Sequence, residues 1–136
     1  MPNPLSQRAG KRYFDNWDSH EAMVNDFVES RYNHDTGKYE QPTVDGMATD
    51  AEVLYAQYGH GSYDGYCRVL FERDGKLYYA SGSHCSCHGL EGQWSPEETS
   101  WQAEAMKSRD FHGYDMSEEA HDALWALIDE RMAALS

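Results

Sequence analysis

Apolar and polar positions along this chain change period several times, and each change marks an element. After Asp18, Ala22, Met23 and Phe27, with Val24 and Val28 beside them, recur at helical spacing. Asp18-Ser-His-Glu21 offers a cap followed by Glu, so a helix is predicted from there to about Arg31. Residues 32–49 (YNHDTGKYEQPTVDGMAT) hold turn formers without a period and are predicted as a loop. Thr49-Asp50 reads as a second cap, opening a short helix over Ala51–Tyr58 that stops at Gly59.

The period then shortens. Tyr66-Cys-Arg-Val-Leu-Phe-Glu-Arg73 alternates as a strand, Asp74-Gly75 is a strong two-residue turn signal, and Lys76–Ser81 returns. That register sets Phe71 against Tyr78, Leu70 against Tyr79, Val69 against Ala80 and Cys67 against Gly82. Apolar side chains then occupy both faces, which calls for helices over the hairpin. Arg73 falls opposite Lys76, a like-charge pair that a bulge would relieve. Ser95-Pro96-Glu97-Glu98 carries a Ser cap, Pro at the first helical position and Glu at the third, predicting a helix to about Arg109. Ser117 opens a last helix, whose dipole Glu118 and Glu119 complement and whose apolar stripe runs through Ala120, Leu124, Leu127, Ile128, Met132 and Leu135. The expected fold is α+β, a small domain with a central β-hairpin at about 66–82 packed by three or four helices. Residues 1–12, polar and without a hydrophobic period, are expected to be a flexible tail, and 13–136 one globular domain.

Composition agrees with a folded chain: 136 residues, 40% hydrophobic and 13% aromatic. No apolar run approaches the roughly 18 residues that span a bilayer, so no membrane association is expected. The first twenty residues lack the apolar stretch of a secretory signal. A cytoplasmic location is therefore expected, with the cysteines reduced. Charge changes the picture more. The net charge is −13, and residues 13–136 hold all 24 acids against eight Lys or Arg, a net of −16. A nucleic-acid binder needs a basic footprint to neutralise phosphates, so direct nucleic-acid binding is excluded. The plain meaning of such acidity is solubility; the sharper one is a face aimed at a partner protein with a basic surface.

Residues 81–98, SGSHCSCHGLEGQWSPEE, concentrate the candidate chemistry. Cys85 and Cys87, two apart in an extended segment, project to one side and can reach a common metal. With Cys67 from the facing strand and His84, His88 or the distant His112, they compose a Cys3His zinc site. As an alternative, the cysteines are small buried apolar groups and the histidines make local hydrogen bonds. A third possibility is a cysteine nucleophile, for which no Asn or Asp orienter is evident. Gly82, Gly89 and Gly92 are expected to allow positive φ in a tight connection, and the segment does not match a phosphate-binding loop.

Tyr63-Asp-Gly65, Val69-Leu-Phe-Glu-Arg-Asp-Gly-Lys-Leu-Tyr78, Ser83-His-Cys-Ser-Cys87 and Gly89-Leu-Glu-Gly-Gln-Trp-Ser-Pro-Glu-Glu-Thr99 together resemble a group of small acidic proteins encoded by bacteriophages. In that group a glycine–tyrosine turn, a D-G hairpin and a C-S-C…E-x-Q-W-x-P-E-E segment occur in the same order, and the likeness covers about residues 50–107. The resemblance implies a phage origin and one structural unit in which Glu91, Gln93 and Trp94 fix the turn. The leading expectation is a non-enzymatic accessory protein that binds a host protein, a host-defence inhibitor imitating nucleic acid. Its binding surface is expected at Glu91, Gln93, Glu97, Glu98, Glu118 and Glu119. A small zinc-binding structural or regulatory domain comes next, with Cys67, His84, Cys85, Cys87 and His88 as ligands. A cysteine-dependent enzyme comes last.

Overall fold

The computed structural model describes residues 11–28, 31–40, 46–60, 65–84, 90–91, 93–109 and 117–135. Among them the chain runs β1 (Tyr13–Asp15), α1 (His20–Phe27), β2 (Arg31–Asn33), β3 (Lys38–Glu40), β4 (Val53–His60), β5 (Gly65–Arg73), β6 (Lys76–His84), β7 (Glu97–Thr99), α2 (Trp101–Arg109) and α3 (Glu118–Ala134).

The β5–β6 hairpin forms in the register its alternation predicts, with Cys67 opposite Gly82 and Phe71 opposite Tyr78. Asp74 and Gly75 both take positive φ, 54° and 79°, the turn whose twist matches that of paired strands. Arg73 and Lys76 do stay paired without a bulge there. Their repulsion is relieved sideways instead: Arg73 turns to Glu52 at 2.8 Å and Lys76 to Glu98 at 3.6 Å.

A lone central hairpin under three or four helices is nevertheless the wrong architecture. The hairpin is the middle of a five-stranded mixed sheet, order β1-β4-β5-β6-β7, and three helices occur among the described residues. Strand β1 runs parallel to β4, the other neighbours are antiparallel, and β2–β3 form a separate two-stranded sheet. The fold is α+β.

Three local signals were overruled, each for a visible reason. The cap at Thr49 is real but makes one turn only: Glu52 Oε1 accepts the Thr49 N–H, and the Glu52 and Val53 N–H groups return to the Thr49 carbonyl. Beyond it, Val53, Tyr55, Ala56 and Tyr58 are buried by pairing with β5, so Ala51–Tyr58 is mostly strand β4 rather than helix. At Ser95-Pro96-Glu97-Glu98 the chain stays extended because Glu97–Thr99 pairs with Leu77–Tyr79 as β7. Helix α2 starts at Trp101 under a second cap, Ser100, whose hydroxyl accepts the Ala103 N–H at 3.1 Å. The expected loop at 32–49 contains the β2–β3 hairpin, closed where Asn33 Oδ1 accepts from Asp35 and Thr36 and Gly37 takes φ 70°. Ser19 caps α1 as the helical period implies, but the helix ends at Phe27 because Val28 is already extended.

Alternation along β5 fills both sides of the sheet. Cys67, Val69 and Phe71 face one core with Trp17, Met23 and Phe27, while Leu70 faces the other with Trp101, Leu124, Leu127 and Ile128. Aromatic rings knit the first core: Trp94 stacks on Phe71 at 5.6 Å and meets Phe27 edge-on at 5.3 Å. The second core holds α2 and α3 against the sheet. Tyr55 ties it to α3 by donating its hydroxyl to the Ala120 carbonyl at 3.1 Å.

Candidate functional site

The first turn of α3 sits at the β1 edge of the sheet, and the two are joined residue by residue. Ser117 caps the helix by accepting the Ala120 N–H at 3.1 Å. Asp15 Oδ2 accepts the N–H of Ser117 at 3.1 Å and that of the buried Gln57 amide at 2.7 Å. Asp15 reaches both from a left-handed backbone, φ 64°, a conformation that Asp tolerates better than most side chains. Tyr13 and Phe14 in the same strand diverge, one into each core.

This junction leaves a groove of about 470 Å³, lined by Lys11, Phe14, Glu118, Glu119, Asp122 and Ala123. Its acids are exposed. Glu118 and Asp122, four residues apart on one helical face, repel each other by a few tenths of a kcal/mol. The positive end of the helix dipole offsets part of that for Glu118 and Glu119.

Elsewhere the cations are mostly committed. Arg12 clamps β1 to the turn that leads into β4 through the Asp50 carboxylate and the Asp50 and Val53 carbonyls. Arg73 grips Glu52 through two nitrogens at 2.8 and 2.9 Å, Arg131 meets Glu72 at 3.1 Å, and Lys107 meets the buried Glu104 at 3.0 Å. The Arg73 guanidinium first, then the Thr49 N–H, hold the Glu52 carboxyl down to about 2. The Tyr13 hydroxyl and Arg12 likewise lower Asp50. Exposed Asp18, Glu21, Asp35, Asp74, Glu91, Glu97, Glu118 and Asp129 have no ion-pair partner among the described residues.

The acids expected to form one binding surface are spread across the sheet. Glu118 and Glu119 flank the β1 edge, whereas Glu97 and Glu98 lie on β7, four strand spacings or roughly 19 Å across the sheet. Glu91 is exposed in the segment beside β6. Gln93 has a structural duty: its amide accepts the Ser83 N–H at 2.9 Å and donates to the Ser83 carbonyl at 2.7 Å, completing the β6 edge where β7 has ended. Trp94 packs inward and donates to the Gly46 carbonyl at 3.2 Å.

Of the cysteine–histidine set, Cys85, Cys87, His88 and the His84 side chain lie outside the described residues, as does His112. Cys67 is buried among apolar side chains, and that burial pushes its thiol up to about 12. Gly82, predicted to need positive φ, has none; it is glycine because a Cβ there would sit 3.1 to 3.3 Å from Leu90, Gln93 and Cys67. Gly89 and Gly92 lie outside the described residues. No group of three or more His, Cys, Asp or Glu among the described residues is arranged to hold a metal.

Lys11, Phe14 and Ala123 are groove residues that sequence reasoning did not single out. A signal was present: Tyr13-Phe14 followed by Asp15-Asn16 is a strand-forming aromatic pair before turn residues. No family model, characterised protein or solved structure matches this chain. No helix of the described residues is long and apolar enough to cross a membrane.

Proposed function

We propose that this chain is a phage-encoded, non-enzymatic accessory protein that binds a basic host protein in the host cytoplasm and inhibits a defence system by imitating nucleic acid. The observation that carries this reading is the exposed carboxylate cluster at the β1–α3 junction. Glu118, Glu119 and Asp122 rim one groove, while six cations are held in ion pairs with other acids or with Glu119. Projecting carboxylates of this kind resemble a row of phosphates and would occupy a groove built for nucleic acid, with fast and salt-sensitive association. The test is capture of a partner from host lysate, followed by competition. A partner released by moderate salt and displaced by nucleic acid supports the proposal. One that binds independently of salt and alongside its nucleic acid contradicts it.

The zinc reading is favoured by one observation. The hairpin register brings Cys67 opposite Gly82, and Leu90 Cδ2 and Cys67 Sγ both approach that glycine, so Gly82 and Leu90, described residues before and after the cysteine–histidine segment, both lie near Cys67. Purified protein would then carry about one equivalent of zinc, lost together with stability in Cys85→Ser. Metal-free protein whose melting temperature ignores chelator rules this out.

A further inference from the structure

The β1–α3 groove already contains a cation of the chain's own. Lys11 Nζ lies 5.3 Å from the centroid of the Phe14 ring and pairs with Glu119. An aromatic face below and carboxylates around the rim are the elements that recognise an ammonium or guanidinium group, each modest alone and mutually reinforcing when the cation is held between them. Phe14 and Ala123 provide the apolar floor that a lysine or arginine stem needs.

From this we infer that the groove is the docking point for a basic side chain, Lys or Arg, projecting from a peptide segment of a partner protein, and that Lys11 is its intramolecular stand-in. The inference rests on the proposed function and sharpens it, assigning recognition to one groove rather than to acidity spread over the surface. Charge complementarity selects this occupant. The rim presents Glu118, Glu119 and Asp122, and Lys11 neutralises only Glu119 in a contact where both side chains stay 60% exposed. Such an exposed pair is weak, so an incoming chain can displace it. Displacing Lys11 moves a tethered competitor aside, and its local concentration sets how strongly the free groove is masked.

The test uses the full chain and an octalysine peptide at low ionic strength, with affinities measured calorimetrically. Lys11→Ala removes the competitor and should tighten binding by about threefold or more. Ala123→Lys places a cation on the groove wall and should weaken binding by about tenfold. Gln102→Lys makes the same charge change at an exposed position of α2 outside the groove and should alter affinity less than about twofold. Both lysine replacements fall on helix, which lysine suits, and because Ala123 is partly buried against the second core the folding of each variant is checked by thermal denaturation. Equal weakening by Ala123→Lys and Gln102→Lys, or weaker binding by Lys11→Ala, overturns the groove inference while leaving recognition by diffuse charge intact. Failure of every form to bind octalysine contradicts the proposed function itself. Spermine binding as tightly as octalysine assigns the groove to free polyamines, and a dimer that Lys11→Ala dissolves assigns it to a second copy. Either result overturns the inference.

Discussion

Gly82 illustrates how one position is fixed by its neighbours rather than by its own backbone. A methyl group there would press on Leu90 Cδ2, Gln93 Oε1 and Cys67 Sγ together. Gln93 cannot retreat without losing both bonds to Ser83. Gly82→Ala should therefore cost about 1–3 kcal/mol in chemical denaturation. The Cys67–Gly82 pairing was legible in the sequence because strand register is local, but Leu90 as the third partner was not, since nothing in a linear pattern says where a loop returns. Glu52 carries a pH signature. Its carboxyl is depressed to about 2 in the folded chain by Arg73 and the Thr49 N–H, against an ordinary value near 4.3 when unfolded. Its contribution is therefore fully present above the unfolded value and is lost as pH falls toward 2. Glu52→Gln should destabilise by about 1 kcal/mol at neutral pH, a difference that shrinks toward zero near pH 2 in urea titrations.

At the level of elements, the sequence pattern pointed to Ser95 as the cap before α2, and strand pairing overruled it. Ser95 has the richer motif, with Pro96 and Glu97 behind it, yet β7 pairing with Leu77–Tyr79 keeps that stretch extended and Ser100 caps the helix. Ser100→Ala should cost about 1 kcal/mol, while Ser95→Ala, at an exposed position outside the helix, should fall within about 0.5 kcal/mol of the parent. Equal losses in thermal denaturation would contradict this assignment. Strand β4 teaches the same lesson. Thr49 and Glu52 make the local turn their types promise, but Tyr55 and Ala56 gain more by burial in opposite cores than a short helix could return. The β5–β6 hairpin was readable because its alternation, turn residues and partners all lie within twenty positions. Parallel pairing of Tyr13–Asp15 with Ala56–Tyr58 was not, because it joins segments some forty residues apart and β1 is three residues long.

For the molecule as a whole, sheet topology determines what the acidity can do. A net charge of −13 is visible in the sequence, as is the expectation of a basic partner. The separation of Glu97 and Glu98 from Glu118 and Glu119 appears only once β7 and β1 are seen at opposite edges. The central claim is that the β1–α3 face, and not total charge, recognises the partner. It is tested most directly by the association rate of the captured host protein as a function of ionic strength, for two variants of equal net charge. Neutralising the groove rim with Glu118→Gln and Asp122→Asn should slow association about tenfold at low salt and flatten its salt dependence, whereas Glu97→Gln with Glu98→Gln should leave both nearly as in the parent. Identical slowing by the two variants would contradict the account.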